Sequence, residues 1–202
     1  MWIILPLPIC RLLFWLVAAA ALPPLHAEEP CCVWAQSTID DVRRTAFPEL
    51  ANTEVFVRPL NSRSDFLRAA FSYKRYVVGV RMRYAISVNP RLLTLGAPQD
   101  GIRAIIAHEL SHIAYYKKGS RLHLLGMVRM LAPGWRAGFE RGADREAIRR
   151  GFGPGLKEYR KWLYRNIPCE KLPEKMRDYL SPEEIDAVMG STSGSTHRKL
   201  PL

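Results

Sequence analysis

The sequence has little of what usually marks a metal or redox protein. Among 202 residues only five are histidine and four are cysteine, and no two cysteines are spaced C-x-x-C. That spacing argues against a structural zinc knuckle. After residue 27 no stretch reaches the roughly 18 apolar residues that a membrane-spanning helix needs, so the remainder is expected to be soluble. Acidic residues are also scarce, with 19 Asp plus Glu against 30 Lys plus Arg and a formal charge of +11. Nucleic acid is the first partner such a charge suggests, but an export signal would keep the chain away from it. An anionic membrane or cell-wall surface fits better, and a merely solvated basic face fits as well. With 48% hydrophobic residues the length suits one well-cored domain, expected over residues 28–189, and leaves no room for a second.

Residues 1–27 read as a secretory signal. Arg11 closes a short n-region, Leu12 to Leu22 form the apolar stretch, and Pro23, Pro24 and Ala27 precede an acidic start. Cleavage is expected after Ala27; the alternative is an uncleaved anchor formed by residues 1–25. Either way the chain is expected to be exported, to the periplasm or beyond. In an oxidising compartment a disulfide from Cys31 or Cys32 to Cys169 is expected, adding about 4 to 5 kcal/mol in the chain-entropy model. At the other end, residues 190–202 are rich in Ser, Thr and Gly and are expected to be disordered.

One stretch carries chemistry. His108, Glu109, Leu110, Ser111 and His112 read H-E-x-x-H, and a helix repeats every 3.6 residues, so the two imidazoles stand one turn apart on one face. The helix itself is well signposted. Pro98 and Asp100 suit its first turn, Ile102, Ile105, Ile106, Leu110 and Ile113 recur at helical spacing, and Lys117, Lys118 and Gly119 suit its end. Glu109 lies on the neighbouring strip, placed to act as a general base rather than a ligand. The plain alternative is a pair of histidines decorating a core helix.

A catalytic zinc wants three protein ligands and one open position. A metzincin would have a third histidine six residues after the second, but Lys118 stands there. His123 follows the helix stop and would have to fold back sharply. Glu140 comes from a second helical stretch, Trp135 to Arg150, and would complete a His₂Glu set. Asp144, one turn on, would accept the N–H of a ligating imidazole. Alternatively both acids form surface pairs with neighbouring arginines such as Arg141 and Arg145.

Elsewhere, helices are expected over Ser37 to Ala46, from a cap at Ser62, Ser64 or Asp65 to about Ser72, over Leu156 to Asn166, and after the capping box Ser181-Pro182-Glu183-Glu184. Gly151 to Gly155 reads as a flexible break, and Gly138, Gly142 and Ala143 as small residues that admit a neighbouring helix. Strands are expected over Glu54 to Arg58 and, by period-two alternation, over Tyr76 to Val88. The second strand is either a plain core strand or the rim of a cleft to which an extended peptide could pair. The fold class expected is α+β, mainly helical, with a small sheet beside the metal helix.

H-E-L-S-H followed by E-R-G-A-D-R resembles the paired H-E-x-x-H and E-x-x-A-D motifs of gluzincin peptidases, the group that includes the HtpX heat-shock peptidase and the CAAX prenyl endopeptidases. Ala85 to Leu93 is similar to the strand and turn before their metal helix, and the resemblance covers about residues 76–150. It implies a zincin-like metallopeptidase domain with one Zn²⁺ per chain held by His108, His112 and Glu140, Glu109 as the catalytic acid/base, and a polypeptide substrate. Membrane-embedded members have several spans, which this chain lacks, so the resemblance is to a small soluble form. A downstream histidine commonly steadies the oxyanion in that group. Here only His197 follows Glu140, which leaves Tyr159, Arg160 or Tyr164 as candidates. The competing reading is a zinc-containing binding or scaffold protein without catalysis, docked on an anionic membrane or envelope complex.

Overall fold

In the computed structural model, residues 30–71, 82–118 and 133–195 are described. Helix α1 (Pro30–Ala46) buries Ala35, Ile39 and Val42 at helical spacing. It includes the expected Ser37 to Ala46 segment and extends it towards Pro30, a residue tolerated in a first turn. Arg43 then donates to the carbonyls of Leu50, Ala51 and Thr53 at 2.8 to 3.1 Å, folding the following turn back on the helix.

Three short strands follow: β1 (Val55–Pro59), β2 (Leu67–Phe71) and β3 (Tyr84–Val88). Their order is β1-β3-β2, with β3 parallel to β1 and antiparallel to β2. The helix expected from Ser62 to Ser72 is therefore replaced by an edge strand. Ser62 does accept the amides of Ser64 and Asp65, as a cap would, but the chain leaves that turn extended and pairs with β3. Long-range pairing outweighs a local signal. The other expected strand is shorter than Tyr76 to Val88 in its described part, and residues 76–81 lie outside the described residues. Because β3 is central, Ala85 is buried along with Tyr84, Ile86 and Val88, and β3 has no open edge. The edge strand beside the cleft described below is β2.

A single turn, α2 (Arg91–Thr94), leads to the long helix α3 (Gln99–Lys118). Its buried residues run all round it, from Gly101 to Tyr116, because it lies inside the molecule with the sheet, α1 and two later helices packed on it. The two are α4 (Pro133–Ala147) and, after a π-type turn (Ile148–Phe152), α5 (Gly153–Asn166); α6 (Leu172–Asp178) and α7 (Pro182–Ser195) follow. The capping box opens α7: Glu184 N–H donates to Ser181 Oγ at 3.2 Å, and Ser181 N–H donates to the Glu184 carboxylate at 2.8 Å. Helix α7 continues through residues 190–195, which were expected to be disordered. Residues 196–202 lie outside the described residues. The architecture is α+β, mostly helical, with a small mixed sheet, and no helix of the described residues is long and apolar enough to cross a membrane.

Cys169 is exposed, with its Sγ directed at the Glu170 carboxylate at 3.6 Å. It is a free thiol, so the expected bridge from Cys31 or Cys32 is not formed.

The close helix approach also falls elsewhere than expected. Among the described residues, nothing stands within 4 Å of where a Cβ on Gly138 or Gly142 would lie. The tight crossing is between α3 and α5, and Gly155, expected in a flexible break, lies inside α5. A Cβ on Gly155 would collide with the Asp100 carbonyl and stand 2.8 Å from its carbon; one on Gly101 would stand 3.1 Å from Tyr159 Cβ. Helix propensity favours Gly155→Ala by about 1 kcal/mol, but a clash with backbone cannot be relieved by a rotamer and costs about 1 to 3 kcal/mol or more. The clash should win, so Gly155→Ala is expected to lower the melting temperature, whereas Gly142→Ala, with no such neighbour among the described residues, should raise it slightly. Thermal melts followed by circular dichroism decide both.

Candidate metal centre

The centre is assembled from two helices. His108 and His112 project from α3, and Glu140 meets them from α4. The Nε2 atoms of the two imidazoles are 3.1 Å apart, and each is 3.1 Å from Glu140 Oε2. Three donor atoms thus form a nearly equilateral triangle. The His112 ring stacks on Phe139 with centroids 4.4 Å apart, which fixes its plane.

Asp144 holds the other imidazole. It is fully buried, and its Oδ1 lies 2.8 Å from His108 Nδ1. Arg160, also buried, donates to both Asp144 oxygens at 2.9 and 3.1 Å, and the Leu180 amide donates at 2.8 Å. Beside a carboxylate, His108 Nδ1 carries the proton, so in neutral His108 the Nε2 lone pair faces the centre. The two acids therefore do not form the surface pairs with arginines one turn away; the arginine that meets Asp144 comes from α5.

These contacts shape the charges. Burial opposes an imidazolium at His108, but the hydrogen bond and charge of Asp144, with the bond to Glu140, push its pKa up to about 10. Burial would raise Glu140, yet the two histidines hold it far below the carboxylate range. Burial likewise works against Asp144, and Arg160, His108 and the Leu180 amide hold it down. Glu109 is the exception: burial, with the charge of Glu140, pushes it up despite the two histidines. The pocket favours positive charge at its middle.

Glu109 lies next to the triangle. One of its oxygens accepts the Ala69 amide of β2 at 2.5 Å. Ala69 therefore turns its N–H away from β3, towards a cleft of about 270 Å³ that Glu109, His112, Glu140, Phe139 and Tyr179 line. Helix α6 walls the far side. Lys175 bridges to Asp65 at 2.7 Å, and Arg136 of α4 bridges to Glu174 at 2.7 Å and Asp178 at 2.6 Å.

The donor set fits a divalent ion such as zinc. Two ligands about 2.0 to 2.1 Å from a tetrahedral zinc stand about 3.3 Å apart, close to the 3.1 Å edges here. With neutral imidazoles, the carboxylates of Glu109, Glu140 and Asp144 and the guanidinium of Arg160 leave an excess of negative charge that a dication balances. His123 lies outside the described residues.

The oxyanion candidates do not reach the cleft. Arg160 is committed to Asp144 and lies under the Tyr179 ring at 4.6 Å. Tyr159 is buried behind Glu109 against Trp162, with ring centroids 5.5 Å apart. Tyr164 is half-buried, and its hydroxyl has no hydrogen-bond partner among the described residues. All three sit on α5, and none of them lines the cleft beside the triangle. The residue that does line the cleft is Tyr179, whose ring centroid is 5.8 Å from that of His108. Burial, with the charges of Glu140 and Glu109, raises its hydroxyl well above the ordinary range, so it stays a proton donor. Nothing in the sequence marks it beyond its place two residues before a capping box.

Compared with models of protein families, with curated proteins and with solved structures, the chain matches none.

Removing the Asp144 charge without changing its shape should weaken metal binding at His108 and also leave the buried Arg160 without its carboxylate. Asp144→Asn is expected to lower zinc affinity about 10- to 100-fold, measured by competition with a chromophoric chelator, while Glu140→Ala abolishes stoichiometric binding.

Proposed function

We propose that the chain is a zinc-dependent endopeptidase of zincin type, acting on polypeptides in the bacterial envelope after export. The observation that carries this reading is the convergence of His108, His112 and Glu140 on one point, with Glu109 beside it on the same cleft. A structural site would be closed by a fourth protein ligand, and the described residues offer three. The paired motifs that resemble gluzincin peptidases support the same conclusion.

His108, His112 and Glu140 would hold one zinc ion per chain. When bound, the ion supplies Lewis acidity, polarising a carbonyl and bringing the pKa of a water towards neutrality. Glu109 takes the proton of the attacking water, whose oxygen bonds to the peptide carbonyl carbon. The C–N bond then breaks, and Glu109 returns the proton to the leaving amine nitrogen. The Ala69 amide fixes one Glu109 oxygen and leaves the second for this transfer. Tyr179, which lines the same cleft, would donate to the oxygen on which negative charge develops.

The outer edge of β2 suits a polypeptide substrate. Phe66 carbonyl bonds inward to the Asn89 amide, whereas Ala69 N–H faces the cleft, so Leu67 and Phe71, in phase with Ala69, turn backbone groups to the same edge. An extended chain would add there as a further strand, antiparallel or parallel.

Glu109→Gln is expected to retain one zinc by elemental analysis and to cleave an unfolded casein-like protein on the order of 10³-fold more slowly. Tyr179→Phe should slow it on the order of 10²-fold with metal content unchanged. Cleavage by Glu109→Gln at the parental rate, or parental cleavage that survives a strong chelator, would refute the proposal.

A further inference from the structure

Three arginines with no carboxylate in ion-pair contact among the described residues converge outside the cleft that holds the triangle. Arg63, in the loop before β2, Arg91, the first residue of α2, and Arg165, at the end of α5, line one shallow concavity of about 510 Å³ together with Leu95 and Asn166. By contrast, Arg43, Arg68, Arg136, Arg150 and Arg160 are each tied to a carboxylate.

The walls of this concavity are fixed by hydrogen bonds, several of them from a buried asparagine. Asn89, 3% exposed, donates to the carbonyls of Ser62 at 2.7 Å and Asp65 at 3.1 Å, and its Oδ1 accepts the Arg91 amide at 3.1 Å. One side chain therefore clamps the Arg63 loop to the start of α2. The Arg91 guanidinium donates to the Arg63 carbonyl at 3.4 Å and lies over the Phe66 ring at 5.9 Å. On the third side, the Trp162 indole N–H donates to the Leu95 carbonyl at 3.0 Å, and Asn166 donates to the Trp162 carbonyl at 2.8 Å. Three like charges are thus held on firm supports with nothing acidic between them, and an anion relieves their repulsion. Guanidinium forks match phosphate oxygens.

We propose that this concavity binds the phosphodiester headgroup of an anionic phospholipid and seats the molecule on a membrane surface. Two features favour a lipid over a free phosphate. The concavity is open rather than enclosing, and Leu95, 36% exposed, lines it beside Ile167 and Pro168, so that apolar side chains border the arginines where they would meet the acyl boundary. The formal charge of +11 draws the molecule to such a surface from a distance. The loop that supplies Arg63 also supplies Asp65 to the cleft wall, so lipid docking would hold the cleft beside the membrane. This inference stands independently of peptidase activity.

The test uses the full chain with vesicles of phosphatidylcholine alone or mixed with phosphatidylglycerol. Any attachment through residues 1–27 is common to both. Arginines are modified with phenylglyoxal, and the rate at each is read by peptide mass spectrometry. Phosphatidylglycerol should slow modification of Arg63, Arg91 and Arg165 by about tenfold or more, since each basic residue at an anionic surface contributes severalfold to binding. Arg44 and Arg149, exposed on other elements, should change by less than about twofold under the same screening conditions. Equal protection by neutral vesicles, or uniform protection of all five arginines, would overturn the proposal. So would equal protection by inorganic phosphate at the same phosphate concentration without lipid, which would mark a pocket for a soluble anion.

Discussion

A carboxylate with no exposure to water must find donors inside the protein, and Asp144 finds them on three other parts of the chain. It sits on α4 and receives the His108 ring from α3, the Arg160 guanidinium from α5 and the Leu180 amide ahead of α7. Each of these groups would be costly to bury alone. Together they satisfy one another, and their mutual satisfaction fixes how four segments meet. The orientation of His108, and so the triangle it forms with His112 and Glu140, follows from that meeting.

The same arrangement explains which parts of the site were legible in the sequence. Helical periodicity fixes where side chains on one helix point, so His108, Glu109 and His112 could be placed from spacing alone, and Glu140 and Asp144 likewise relative to each other. That α4 faces α3 is not a property of either sequence segment, but the residue types at those spacings suggested it. Tyr179 and the Ala69 amide belong to a loop and an edge strand, where no period constrains direction. They could be found only once α6 and β2 were seen to wall the cleft.

The readings that the structure changed share a cause. Ser62 to Asp65 carries the local chemistry of a helix cap and makes those hydrogen bonds, yet Leu67–Phe71 pairs with β3 because an extended partner was available. Arg160 is one of the three candidates for steadying the oxyanion, but a buried guanidinium beside a buried carboxylate is spent on that carboxylate. Gly138 and Gly142 looked like a contact face, whereas the crossing that needs small residues uses Gly101 and Gly155. In each case composition named the right kind of residue and tertiary geometry decided which one was used.

Helices α4 and α5 are joined by the π-type turn Ile148–Phe152, in which Gly151 has φ near +92°. Asp144 precedes that reversal and Arg160 follows it. Adding or deleting one residue there would rotate α5 by about 100° about its own axis, carrying Arg160 off Asp144 and Gly155 off Asp100 together. The length of this connection is therefore as constrained as the identity of any ligand, and insertions that most surface loops absorb would here dismantle the centre without touching it.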